Sequence, residues 1–157
     1  MLRRLACLIP VYIVCTACVS RYDPVEPINP LSGECRDYAG FSRALAVQRD
    51  HGFTRGATLS MAGYSVGSQQ NREILYRQYK TVFDLIFTEY RISPVTAGVL
   101  GKVVCQQRRL QQWQELVSTD YKPVTTMILH CQQDNLAEVD REDCLVQGFF
   151  DYHNPGQ

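Results

Sequence analysis

Residues 71–90 read NREILYRQYKTVFDLIFTEY, and this stretch decides the fold that the sequence predicts. Its apolar side chains recur every three or four residues, which is the period of one face of an α-helix. Ser68 or Asn71 can cap the start, because a short polar side chain there accepts a hydrogen bond from a free backbone amide. The pattern predicts a long amphipathic helix with one apolar face, formed by Leu75, Tyr79, Val82, Phe83, Ile86 and Tyr90.

The flanking segments predict two further helices. Residues 34–49 repeat apolar side chains at helical spacing from Cys35 onward, and Gly52 follows as a stop. Ser93 and Pro94 supply a cap and a proline at the first helical position, which favours a helix start. The apolar spacing beyond them predicts a helix that reaches residue 117 and bends near one of two glycines, Gly98 or Gly101.

The remaining segments are less regular. Residues 52–70 contain several glycines and are predicted to be mostly loop. Residues 121–130 carry β-branched side chains that favour an extended segment, with a helix as the alternative. A short last helix is expected between residues 136 and 146. The sum is an all-α fold, a small helical bundle in a single domain that spans residues 33–157.

Composition excludes several classes of protein. Among 157 residues, 45% are hydrophobic and 20% are charged, which fits neither a disordered chain nor a multi-pass membrane protein. Removing residues 1–17 takes away Arg3 and Arg4 and no acidic residue, so 14 basic and 16 acidic residues remain, a net charge of −2. Within residues 18–157, only Arg108 and Arg109 form an adjacent basic pair, and no nucleic-acid partner is expected.

The first eighteen residues have the layout of an export signal. Two arginines precede an apolar stretch from Leu5 to Val14, which is too short to span a bilayer. The following residues, Cys15-Thr16-Ala17-Cys18, resemble the lipobox of bacterial lipoproteins. That resemblance implies a signal peptide over residues 1–17, a lipid anchor on Cys18 and, with Val19 after the cysteine, sorting to the outer membrane. The alternative is an ordinary signal peptide cut near Ala17, and export follows from both.

Residues 18–32 are predicted to be the anchor and a stalk. Pro24, Pro27 and Pro30 recur at steps of three, which favours extended polyproline-like chain. A coil that lies along the body is equally compatible with this composition.

Four cysteines remain after the stalk, in an exported and therefore oxidising setting. Four cysteines allow three pairings, and we expect Cys35 with Cys105 and Cys131 with Cys144, since each pair brackets one predicted substructure. A zinc site that combines these cysteines with His130 is the alternative, but these five residues show neither the Cys-x-x-Cys nor the His-x-x-x-His spacing of such sites. No metal and no cofactor are expected.

A further pattern in the body combines a cysteine helix, an Arg-Asp-x-Gly turn and a second cysteine helix that begins near a proline. The residues that carry it are Cys35, Tyr38, Ala39, Arg49, Asp50, Gly52, Tyr90, Pro94 and Cys105. This pattern, which covers less than half of the chain, partly resembles small exported proteobacterial proteins of unassigned function. The resemblance implies a helical fold and a bridge between Cys35 and Cys105, but no activity.

One motif points to enzymatic chemistry. Gly63-Tyr64-Ser65-Val66-Gly67 matches the nucleophile elbow of α/β-hydrolases, which places a serine on a turn between a strand and a helix. Acid and histidine partners follow it in the chain, Asp120 with His130, or Asp134, Asp140 or Asp151 with His153. Residues 33–62, however, show no pattern of a buried strand, and a flexible loop has the same composition. The loop interpretation is preferred, and a small serine hydrolase that uses Ser65 is the alternative.

Three features are candidates for contacts. The glutamines at 106, 107, 111, 112 and 114 form a polar face that ends at Trp113, either solvated or a hydrogen-bonding groove for a partner. Phe87 lies off the main apolar stripe and is predicted to be exposed. The aromatic stretch from Phe149 to Tyr152 is expected to pack the tail down, with an exposed anchor as the alternative.

These expectations combine into one functional hypothesis. The chain is predicted to be an outer-membrane lipoprotein, anchored through Cys18, whose periplasmic helical domain binds an envelope protein as an accessory, pilot, inhibitor or immunity-type factor without catalysis. The alternatives are the hydrolase that uses Ser65 and a purely structural envelope component.

Overall fold

The computed structural model describes residues 29–89, 91–133 and 136–156. The described chain forms six α-helices, with the bounds α1 Cys35–Asp50, α2 Arg55–Ser65, α3 Gln69–Thr88, α4 Pro94–Arg109, α5 Tyr121–His130 and α6 Glu138–His153. A short 3₁₀ helix, Ser118–Asp120, precedes α5. No strand occurs among the described residues. The predicted all-α bundle is confirmed. Predictions that concern residues 1–28, including Cys18, Pro24 and Pro27, and those on Tyr90 and Asp134, lie outside the described residues.

Helices α1 and α4 share the most extensive contact between elements of the described chain. Gly98 and Gly101 on α4 face α1, and a Cβ built on Gly101 would lie 2.7 Å from the Cβ of Ser42. The two helices therefore approach more closely than any side chain at position 101 allows. Helix α4 runs without interruption through both glycines, and they permit this close approach to α1.

The core fills the space between this pair and α3. Tyr79, Val82, Phe83 and Ile86 of α3 are almost completely buried, as the helical spacing predicts. The ring of Tyr79 stacks on that of Tyr38 at a centroid distance of 3.9 Å. Phe87 was predicted to be exposed, and that prediction is wrong: it is 9% exposed and stacks on Phe83.

Both predicted disulfides are present. Cys35 is bonded to Cys105, with 5.4 Å between their Cα atoms, and joins the start of α1 to the end of α4. Cys131 is bonded to Cys144, with 5.6 Å between Cα atoms, and joins the end of α5 to α6. All four cysteines are therefore used, and the alternative zinc site is not formed.

Residues 52–70 correct the prediction of a loop. Helix α2 occupies much of this stretch, and the Thr54 side chain caps it by accepting a hydrogen bond from the amide of Ala57 at 3.2 Å. Thr58 and Ala62 are buried on its inner face, and Gly63 lies against the side chain of Arg72. Each glycine lowers the stability of a helix by roughly 1 kcal/mol relative to alanine, and the packing of α2 on the body outweighs this loss.

Three other segments differ from the prediction. Helix α4 ends at Arg109 and not at residue 117, because the backbone turns at Gln111, which has a φ of 57°. Residues 121–130 are helical, not extended, with Pro123 tolerated in the first turn. Helix α6 is sixteen residues long, where a short helix was expected.

The N-terminal end of the described chain lies against the body. Residues 30–32 form a turn, in which Pro30 accepts a hydrogen bond from the hydroxyl of Tyr79 at 3.1 Å. Leu31 packs on the core. Within the described residues, no helix combines the length and the apolar character needed to cross a membrane.

Candidate binding groove

A groove of about 490 Å³ lies between the end of α4 and the last turns of α6. One wall comes from α4 and the segment after it, through Gln107, Gln111, Gln112, Trp113 and Gln114. The other wall comes from α6 and the residue after it, through Val146, Gln147, Phe149, Phe150, His153 and Asn154. Four of the five glutamines of the predicted polar face therefore line a concave surface.

Trp113 lies at the centre of the aromatic contacts in this groove. Its ring centroid is 5.1 Å from that of Phe149, edge to face, and 6.1 Å from that of His153. The guanidinium of Arg108 lies over the same ring at 5.9 Å, within the range of a cation–π interaction. Phe149 is 2% exposed and belongs to the core, whereas Phe150 is 54% exposed at the edge of the groove.

The turn after α4 positions Trp113. The amides of Gln112 and Trp113 both donate to the carbonyl of Gln107, at 2.9 and 3.2 Å. These bonds satisfy one of the free carbonyls at the end of α4 and reverse the chain. The indole is thereby directed back toward α6, instead of continuing the face of α4 as the sequence predicted.

A polar network ties this segment to the rest of the bundle. Arg108 donates to Glu115 at 2.6 Å, to the hydroxyl of Tyr38 at 3.0 Å and to the carbonyl of Gln78. Thr81 of α3 donates to Glu115 at 2.8 Å. Burial disfavours the charged form of Glu115, but the bond from Thr81 and the charge of Arg108 prevail and lower its pKa.

The end of α6 is held by a second set of bonds. The hydroxyl of Tyr152 donates to Asp120 at 2.7 Å, and the amide of Val117 donates to the other carboxylate oxygen at 2.8 Å. The bond from Tyr152, followed by that from Val117, lowers the pKa of Asp120. Both walls of the groove are therefore braced by hydrogen bonds to neighbouring elements.

The groove has no charged lining among the described residues. His153 is its one titratable side chain, and burial lowers the pKa of its imidazole, with partial opposition from Asp120. The Nε2 atom of His153 is buried and has no hydrogen-bond partner. The indole N–H of Trp113 is also buried, and it forms no hydrogen bond with a described residue. It lies near enough to Glu115 to help lower the pKa of that carboxylate. The interior of the groove is therefore neutral at pH 7.

Sequence reasoning found only one wall of this groove. The aromatic stretch was expected to pack the tail, which holds for Phe149 but not for Phe150. A usable signal was present, because residues 146, 149, 150 and 153 recur at the spacing of one helical face. That stripe was missed because α6 was predicted to end near residue 146.

Ser65 does not occupy a nucleophile elbow. It is the last residue of α2, and its hydroxyl donates to the carbonyl of Ala62 at 2.7 Å. An elbow requires a strand before the serine, and a helix precedes Ser65 here. His51 follows α1 directly, and His130 is the last residue of α5. Within the described chain, no three His, Cys, Asp or Glu side chains come together in a way that could hold a metal ion.

Comparisons of the chain with protein-family models, with curated proteins and with solved structures give no match.

Proposed function

We propose that this protein is a lipoprotein of the bacterial outer membrane, anchored through Cys18, whose helical domain faces the periplasm and binds an envelope protein without catalysis. The observation that carries the binding role is the groove between α4 and α6, which is concave, aromatic and edged by glutamines. Concave, largely apolar sites with a few polar groups are the usual binding sites of proteins.

The proposed location, at the outer membrane through a lipid on Cys18, is supported by the sequence. The cationic start, the short apolar stretch and Cys15-Thr16-Ala17-Cys18 support a lipidated N-terminus. Each buried methylene contributes about 0.8 kcal/mol, so several acyl chains hold a protein durably at a membrane. Two disulfides are in keeping with an oxidising compartment such as the periplasm.

The proposed non-catalytic role is supported by the surroundings of Ser65, whose motif was the one that pointed to catalysis. Ser65 lies at a helix end, hydrogen-bonded to a backbone carbonyl, without the strand–turn–helix context of a hydrolase. A bound partner at a membrane requires an anchor and a surface, and both are supported by the features above.

The test is site-specific photocrosslinking in the bacterium that encodes the protein. Benzoylphenylalanine replaces Phe150 at the edge of the groove in one strain and Val139 in another; both residues are exposed on α6, at opposite ends of the helix. We expect an envelope protein to be crosslinked from position 150 and not from position 139. Crosslinks from neither position, in folded and membrane-bound protein, would favour a purely structural envelope component.

A further inference from the structure

The groove also indicates what kind of ligand it accepts. We infer that it binds an extended, uncharged peptide segment of the partner through one or more apolar side chains, an inference that rests on the proposed function. Three observations support this: the free hydrogen-bonding groups along one wall, the neutral lining, and the charges that flank the groove.

The first observation concerns the carboxamides. The side chains of Gln107, Gln111, Gln112 and Gln114 form no hydrogen bond with any other group in the described chain. Each carboxamide offers two donor hydrogens and an acceptor oxygen. A row of groups that both donate and accept matches the alternating N–H and C=O groups of an extended peptide backbone.

The backbone of the same wall is also available. The segment from Gln112 to Val117 belongs to no helix or strand. The amide and the carbonyl of Gln114, which lines the groove, have no hydrogen-bond partner among the described residues. Free main-chain groups of this kind can pair with the backbone of an extended peptide. This favours a peptide over ligands that present only hydroxyl groups.

The second and third observations concern charge. No carboxylate or cation lines the groove in the described structure, and the burial of His153 favours its neutral form. On the far side of His153, a second depression carries Glu115, Asp120 and Asp151. Placing a charged side chain in the neutral groove would remove it from water without a partner. The segment in the groove is therefore uncharged, and the acidic depression beyond it disfavours acidic segments in particular.

The aromatic edge provides the anchor point. Phe150 is 54% exposed beside Trp113, and aromatic side chains in such positions dominate the binding energy of many interfaces. The volume of about 490 Å³ is enough for a few side chains of a partner.

Trp113 is the only tryptophan of the chain, so its fluorescence reports on the groove directly. The full-length protein, purified from membranes and placed in lipid nanodiscs, is titrated with short blocked peptides made of Ser, Thr, Pro, Leu and Phe. Matched sets carry Lys or Glu at two positions. We expect the uncharged set to shift the emission of Trp113 and to bind more tightly than either charged set.

Two variants locate the binding. Phe150→Asp places a charge at the edge of the groove and should weaken the uncharged peptides about tenfold or more. Val139→Asp makes the same change at an equally exposed position at the other end of α6 and should leave binding unchanged. The emission of Trp113 without peptide and the far-UV circular dichroism establish that both variants fold.

The inference would be overturned if the uncharged set did not bind, if a charged set bound equally or more tightly, or if binding were unchanged in Phe150→Asp. Specific binding of N-acetylglucosamine oligosaccharides in place of peptides would also overturn it. Concentration-dependent self-association that Phe150→Asp abolishes would assign the groove to a second copy of the chain and would also overturn it. Crosslinking from position 150 could capture an envelope protein while uncharged peptides do not bind. In that case the inferred peptide ligand is wrong and the proposed function stands.

Discussion

The guanidinium of Arg49 donates a hydrogen bond to the carbonyl of Ile92 at 2.6 Å and so links the end of α1 to the turn between α3 and α4. The same side chain donates to the carbonyl of Ile86 at 3.0 Å, near the end of α3. It is 1% exposed, and Asp50 pairs with it at 2.6 Å. Arg49 therefore satisfies carbonyls that the end of a helix leaves without partners, and it does so inside the protein.

Arg49→Met should destabilise the protein by about 3 kcal/mol or more, because buried carbonyls lose a charged donor. Arg77→Met is the control, since Arg77 is exposed on α3, and it should change stability by less than about 0.5 kcal/mol. Urea unfolding followed by circular dichroism measures both values. Equal, small effects would show that Arg49 does not hold this turn.

The two disulfides should differ in their contribution to stability. The bridge between Cys35 and Cys105 closes a separation of 70 residues, whereas that between Cys131 and Cys144 closes 13. Loop-closure entropy predicts losses of about 4 and about 3 kcal/mol, respectively, when each pair is replaced by alanine. Urea unfolding of the two double variants tests the order, which would be contradicted if loss of the shorter bridge were the more costly.

Three glycine-to-alanine variants should have different effects. Gly101→Ala should destabilise by about 1–3 kcal/mol, because the new methyl group meets Ser42 and the carbonyl of Tyr38. Gly98→Ala should cost less, since its nearest neighbour is the side chain of Arg43 at 3.2 Å. Gly56→Ala meets nothing within 4 Å and should stabilise α2 by about 0.5–1 kcal/mol. Thermal unfolding ranks the three, and a loss at Gly101 no larger than that at Gly98 would contradict the close approach of α1 and α4.

His153 should make stability depend on pH. Burial lowers the pKa of its imidazole in the folded protein, so the unfolded chain takes up a proton first as the pH falls through about 6.5. Stability should be complete above that value and decline below it, before the carboxylates begin to titrate. His153→Phe should remove this part of the decline, as measured by urea unfolding between pH 7.5 and 5. Identical profiles for the two proteins would contradict the assignment.

The sequence predicts the parts of the fold that depend on local periodicity. Helices α1 and α3, the caps at Ser68 and Ser93 and both disulfides follow from spacing, capping chemistry and the bracketing of substructures. Helix α2 does not, because its glycines oppose a helix locally and its packing against α3 offsets their cost.

The groove could be predicted only in part, for a related reason. The glutamines and Trp113 are visible in the sequence, but a continuous helix to residue 117 would have spread them along one face. The turn at Gln111 requires a positive φ, which glutamine rarely adopts. The neighbouring sequence gives no signal that predicts this turn. The second wall depends on α6 folding back over α4, a tertiary arrangement that the sequence pattern does not contain.

The central claim is that the protein is anchored to a membrane by a lipid on Cys18. Intact-mass analysis of the membrane-fraction protein tests this claim most directly. Wild type is compared with Cys18→Ser after expression in a bacterial host. We predict the mass of residues 18–157 plus a diacylglycerol and an amide-linked acyl chain, less the hydrogens lost to two disulfides, with the variant unprocessed. A soluble product without acyl chains would contradict the lipoprotein assignment.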